Sequence, residues 1–126
     1  MANEISISLS ITVSKNGARF IRQESFKDTM TGDAWVTGVQ QVGATSEDII
    51  THENITNYGW IYLKNLGTDD ALYVEFAHAA ASIDGDDNIC RLYGGESCIL
   101  KASSQTALHA ISSYQTQAVE YAIIEL

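Results

Sequence analysis

From Glu4 to Ser14 the chain alternates without a break. Ile5, Ile7, Leu9, Ile11 and Val13 are apolar, and Ser6, Ser8, Ser10, Thr12 and Ser14 between them are small and polar. Successive side chains of a strand point to opposite faces, so a period of two predicts a half-buried strand with one face in a core. At ~3.3 Å per residue that strand is roughly 36 Å long. Its polar face is Ser and Thr rather than Lys and Glu, which protects weakly against edge pairing and invites cover by another chain. Lys15-Asn16-Gly17-Ala18 comes next. Asn16 and Gly17 both accept the positive φ of a type I′ turn, so they predict a hairpin whose second strand runs from Arg19 to about Lys27.

The remainder is cut into short pieces by turn residues. Trp35 to Val42, Asp48 to His52, Tyr58 to Leu63, Leu72 to Phe76, Ile89 to Tyr93, Ser97 to Lys101, Ala107 to Ser112 and Val119 to Leu126 carry the β-forming residues. Between them lie Gly43-Ala44-Thr45-Ser46, Asn65-Leu66-Gly67-Thr68-Asp69-Asp70, Asp84-Gly85-Asp86-Asp87 and Gly94-Gly95. Ile89 to Tyr93 and Ser97 to Lys101 read as a second hairpin around Gly94 and Gly95. No segment holds a long 3.6-residue period. About nine or ten short strands, with turn signals every ~8–12 residues, predict an all-β chain folded as an antiparallel, jelly-roll-like β-sandwich. A length of 126 residues suits one such domain over 1–126.

Composition narrows the partners. There is no Pro and there are nine Gly, so Gly, Asn and Asp must shape the turns. The net charge is −9, and it is uneven. Residues 1–27 hold Lys15, Arg19, Arg22 and Lys27 against Glu4 and Glu24, a balance of +2. Residues 28–90 hold eleven acids against Lys64 alone, a balance of −10. Such a surface repels phosphate backbones and anionic lipid, so neither nucleic acid nor membrane is an expected partner. The plainer reading of this asymmetry is a solvated acidic surface, and the alternative is that the basic start of one copy attracts the acidic middle of another. No basic region followed by an apolar run marks a signal peptide near Met1, so synthesis in a cytosol is expected.

Chemistry is sparse. The histidines are His52, His78 and His109, and no serine sits in a Gly-x-Ser-x-Gly elbow, so no catalytic residues are assigned and no enzyme is expected. Asp84, Asp86 and Asn88 match the opening of a calcium loop. Ile89 then stands where the loop needs Gly, and Gly95 where it needs Glu, so a plain acidic turn is the better reading and no metal or other cofactor is assigned. Cys90 and Cys98 face each other if the hairpin loop is Tyr93 to Gly95, and point to opposite faces if the loop is Gly94 and Gly95 alone. Tyr58, Trp60 and Tyr62 share one strand face at period two. A place in the core is the default reading, and with Trp35 they are also candidates for an interface or for stacking on a ligand such as a sugar ring.

Longer stretches carry a resemblance. Tyr58-Gly59-Trp60-Ile61-Tyr62-Leu63-Lys64-Asn65-Leu66-Gly67 runs into Ala71-Leu72-Tyr73-Val74-Glu75-Phe76. Arg91-Leu92-Tyr93-Gly94-Gly95-Glu96 follows, and the chain ends Val119-Glu120-Tyr121-Ala122-Ile123-Ile124-Glu125-Leu126. Together with the alternating start, these resemble small β-sandwich structural proteins of tailed bacteriophages. The departure is Gly94, where that group would carry Pro. The resemblance implies a non-catalytic virion protein, made in the host cytoplasm. It would act in capsid decoration or cementing, or in the neck or tail, as a homo-oligomer bound to other virion proteins such as the major capsid, neck or tail proteins. A carbohydrate- or receptor-binding module using the surface aromatics is the alternative.

Overall fold

The computed structural model describes residues 4–30, 32, 34–45, 47–50, 55, 57–77, 81–105 and 108–125. Ten strands and no helix are found among them. The chain divides into two compact units, Met1–Gly32 and Asp33–Leu126.

The first unit is a ribbon. Strand β1 (Ile5–Lys15) pairs antiparallel with β2 (Ala18–Asp28) along its whole length, from Lys15 opposite Ala18 to Ile5 opposite Asp28. Asn16 and Gly17 link them with φ of 53° and 80°, the left-handed pair that the type I′ turn needs. The expectation of a long strand with its apolar face in a core fails beyond the first two apolar positions. Ile5 and Ile7 are buried, whereas Leu9, Ile11 and Val13 are about half exposed. These two strands form a two-stranded sheet of their own.

The second unit is the sandwich. Its strands are β3 (Trp35–Val42), β4 (Glu47–Ile50), β5 (Tyr58–Asn65), β6 (Tyr73–Ala77), β7 (Asn88–Tyr93), β8 (Ser97–Gln105), β9 (Leu108–Ser112) and β10 (Gln117–Glu125). One sheet has the order β3-β10-β5-β8 and the other β4-β9-β6-β7, and every neighbouring pair is antiparallel. Eight strands in two such sheets, with the chain passing repeatedly from one to the other, make a jelly roll. Among the described strands of this unit, only β6 and β7 are both consecutive and paired. The second predicted hairpin is therefore corrected. Gly94 and Gly95 do turn the chain, with Gly95 at φ 88°, but β7 pairs with β6 while β8 pairs with β5 in the facing sheet.

The core follows from alternation on facing strands. Ile61 and Leu63 of β5, Val119 and Ile123 of β10, Val74 and Phe76 of β6, Leu108 and Ala110 of β9, Val42 and Leu92 are packed together and buried. Polar groups sit at one end of this core and are satisfied there. Asn65 Nδ2 donates to Leu92 O at 3.0 Å and to Gln117 Oε1 at 2.9 Å, and its Oδ1 accepts from Gly67 N at 2.8 Å. Gln117 Nε2 donates to Ser112 Oγ at 2.7 Å and to Tyr73 O at 3.0 Å. The network ties β5, β7, β9 and β10 to the loop after Asn65. That loop also explains Gly94. A Cβ on residue 94 would lie 2.6 Å from Asp69 O and 2.8 Å from Gly67 O, and Gly94 N donates to Leu72 O at 3.2 Å, a bond proline has no hydrogen to make. Gly94→Ala is expected to destabilise by about 1–3 kcal/mol through this crowding, and Gly94→Pro by more. Denaturant unfolding checks the order, and a neutral Gly94→Pro would refute it.

Candidate interaction surface

Residues directly opposite in an antiparallel pair share a face, so the ribbon register sorts its side chains. One face carries Ile7 with Phe26, Leu9 with Glu24, Ile11 with Arg22, and Val13 with Phe20. The other carries Ser8 with Ser25, Ser10 with Gln23, Thr12 with Ile21, and Ser14 with Arg19. The ribbon is therefore amphipathic, and its apolar face is open over the half nearest the turn: Ile11 is 50% and Val13 52% exposed, and Leu9 and Phe20 are similar. The Arg22 guanidinium lies over the Phe20 ring at 5.0 Å from its centroid. A two-stranded ribbon is marginal alone in water, because it buries too little apolar surface; it is stabilised by something packed on its face.

The sandwich presents a second apolar region, the outer face of the sheet β3-β10-β5-β8. Strand register sets Trp35, Ile124, Trp60 and Lys101 in one row across it, with Thr37, Ala122, Tyr62 and Ile99 in the next. Trp35 is 64% exposed, and Val39 and Ile99 are also open. Trp60 is only 8% exposed, with the Lys101 ammonium 5.5 Å from its ring centroid, so little of its ring is available for stacking. Tyr62 donates its hydroxyl to Glu120 Oε1 at 3.2 Å; burial first, and then the Glu120 carboxylate, raise its pKa.

The expectation that Tyr58 shares this face is corrected. Pairing with β8 shifts register between Tyr58 and Trp60, and pairing with β10 shifts between Ile124 and Glu125. The irregularity at Gly59 turns Tyr58 inward, where it is 2% exposed and packed in the core. An extra backbone step of this kind reverses the facing of every residue beyond it. Of the four aromatic candidates, the structure brings Trp35, Trp60 and Tyr62 to one face and removes Tyr58.

The remaining candidates have structural partners. Asp84 pairs its carboxylate with Arg91, which also binds the buried Glu75 through Nε at 3.0 Å and its terminal nitrogen at 2.8 Å. Glu75 in turn accepts from Asp84 N at 2.6 Å. The Glu75 hydrogen bonds are the largest of the influences that raise the Arg91 pKa. Asn88 Nδ2 donates to Ser82 O at 2.6 Å, and Asp86 is exposed. Among the described residues no three His, Cys, Asp or Glu groups come together in a way that would hold a metal ion. Cys90 and Cys98 are free thiols on facing sheets, their sulfurs 3.8 Å apart and hydrogen-bonded, which, with burial, pushes the Cys90 thiol up. His52 and His78 lie outside the described residues. No described helix is long and apolar enough to cross a membrane.

No protein-family model matches this chain, and neither a curated protein nor a solved structure is similar enough to be matched. Function is therefore read from the surfaces of the chain itself. Sequence reasoning missed that the ribbon face is open, although β2 carried the signal. Arg22 and Glu24 stand in the same alternating set as Phe20 and Phe26, and two charges in an apolar row mark a face that no closed core covers.

Proposed function

We propose that this chain is a non-catalytic structural subunit of a bacteriophage virion, placed on the capsid, neck or tail, which assembles with copies of itself and with other virion proteins. The observation that carries the assembly part is the ribbon, whose apolar face is open over Leu9, Ile11, Val13 and Phe20. An uncovered apolar face of this length on a strongly acidic chain is accounted for by a protein partner. The virion part is supported by the resemblance of the strand-end motifs, and the fold agrees with it, since jelly rolls serve in viral capsids. Fold alone does not settle function, because lectin domains use the same architecture. The stacking alternative is weakened at its central residue, since Trp60 is buried under Lys101.

The test is mass spectrometry of purified particles from tailed phages whose genomes encode this chain. The chain is expected among the particle proteins at a copy number set by particle symmetry. Its absence from every particle overturns the reading.

A further inference from the structure

The occupant of the open ribbon face is itself legible from the charges on that face. Between Leu9 and the turn, the face holds four cross-strand levels: Leu9 with Glu24, Ile11 with Arg22, Val13 with Phe20, and Lys15 with Ala18. Glu24 stands at one end of this stretch and Lys15 at the other, and both are exposed. The apolar residues fill the middle. Such an arrangement is complementary to itself when one copy is turned end for end.

We propose that the open halves of two ribbons pack face to face and antiparallel, about a twofold axis between the levels of Ile11 and Val13. This rests on the self-assembly part of the function proposed above and names its surface. In that arrangement the level of Leu9 and Glu24 faces the partner's level of Lys15 and Ala18, which sets Glu24 diagonally across from the partner's Lys15, and each Arg22 faces the partner's Phe20, so the guanidinium that covers Phe20 within one chain has a second ring to cover. Leu9, Ile11, Val13 and Phe20 of both copies close a small four-stranded sandwich, with sheets ~10 Å apart as in ordinary sheet packing. The Ser and Thr faces point outward to water. A twofold interface uses the same patch on both copies, which is the condition this charge order satisfies. A parallel arrangement does not satisfy it, because Lys15 would meet Lys15, Arg22 would meet Arg22 and Glu24 would meet Glu24.

The test is a charge exchange on the full chain, read by light scattering and sedimentation across a concentration series. Lys15→Glu and Glu24→Lys are each expected to weaken the dimer on the order of tenfold, because two attractive pairs become repulsive. The double variant, Lys15→Glu with Glu24→Lys, is expected to recover affinity to within about threefold of the native chain. Within one ribbon the two residues lie six positions apart along the strand, about 20 Å, so recovery cannot come from a contact inside one copy. Both substitutions are on exposed positions, and matching thermal unfolding of the three variants checks that they fold. A double variant as weak as the singles overturns the antiparallel ribbon pair, including the case of a ribbon docked on the acidic body of a second copy. An oligomer that none of the three variants disturbs overturns the ribbon pair and leaves self-assembly standing. A native chain that stays monomeric at every concentration overturns both.

Discussion

Replacing Phe76 by Ala is expected to lower the unfolding free energy by about 3–5 kcal/mol. Phe76 lies next to the last residue of β6, opposite Ala110 on one side and Cys90 on the other, and its side chain is fully buried. The substitution removes an aromatic ring from a closed layer between two sheets. The backbone on each side is held by ladder hydrogen bonds, so neighbouring side chains cannot collapse far into the space left behind. The cost is then the lost transfer energy plus the residual cavity. For a chain of this size the change corresponds to a fall of roughly 10–20 °C in the unfolding midpoint. Phe76→Leu keeps most of the volume and is expected to cost less than half as much. Calorimetry on the three proteins decides the matter: a loss below about 1 kcal/mol for Phe76→Ala would mean that the two sheets do not meet at this residue.

Asn65→Ala is expected to cost about 3–4 kcal/mol, although only a small polar side chain is removed. Asn65 is fully buried at the end of β5, and its amide serves three partners at once: Leu92 O, Gln117 Oε1 and Gly67 N. Truncation removes the partner of Leu92 O and Gln117 Oε1 at a buried site and that of Gly67 N at a half-buried one, and a buried polar group without a partner costs about 1–3 kcal/mol. Asn65→Asp separates hydrogen bonding from size. It keeps the acceptor for Gly67 N, but it places an oxygen against Leu92 O and Gln117 Oε1, which are themselves acceptors. A carboxylate there meets two oxygens with no proton between them, so Asp is expected to be no better than Ala near neutral pH and to improve when acid supplies a proton. If Asn65→Ala and Asn65→Asp both unfold at the native denaturant concentration, the network does not hold the loop.

The strands were legible because they obey a local rule. Trp35 to Val42 and the Asn16-Gly17 turn are found where alternation and positive φ place them. Facing was less legible, because it depends on which strand lies alongside. Tyr58 has the right parity for the outer face and still turns inward, since the irregularity at Gly59 arises from pairing with β8 and β10, which are about forty or more positions away. The same limit hid the separation of β7 from β8. Gly94-Gly95 reads locally as a hairpin, but a turn cannot say whether the next strand stays in its sheet. Asn65 and Gln117, 52 positions apart, carried no local signal of their partnership at all. On the ribbon, by contrast, the charges within the apolar row of β2 were visible from the beginning, and their meaning emerged once the register put Glu24 beside Leu9.

The order of the strands also sets the order in which the molecule can be completed. In the sheet β3-β10-β5-β8, β10 is an interior strand, with β3 on one side and β5 on the other. It is also the last of the ten along the chain. Until β10 has been synthesised, β3 has no neighbour in its sheet, and that side of the core has no lid. Both strands of the ribbon, by contrast, are finished by Asp28 and need only a two-residue loop closure to pair. On a growing chain the ribbon is thus available many residues before the sandwich is complete, and copies emerging side by side have their first opportunity to meet through it.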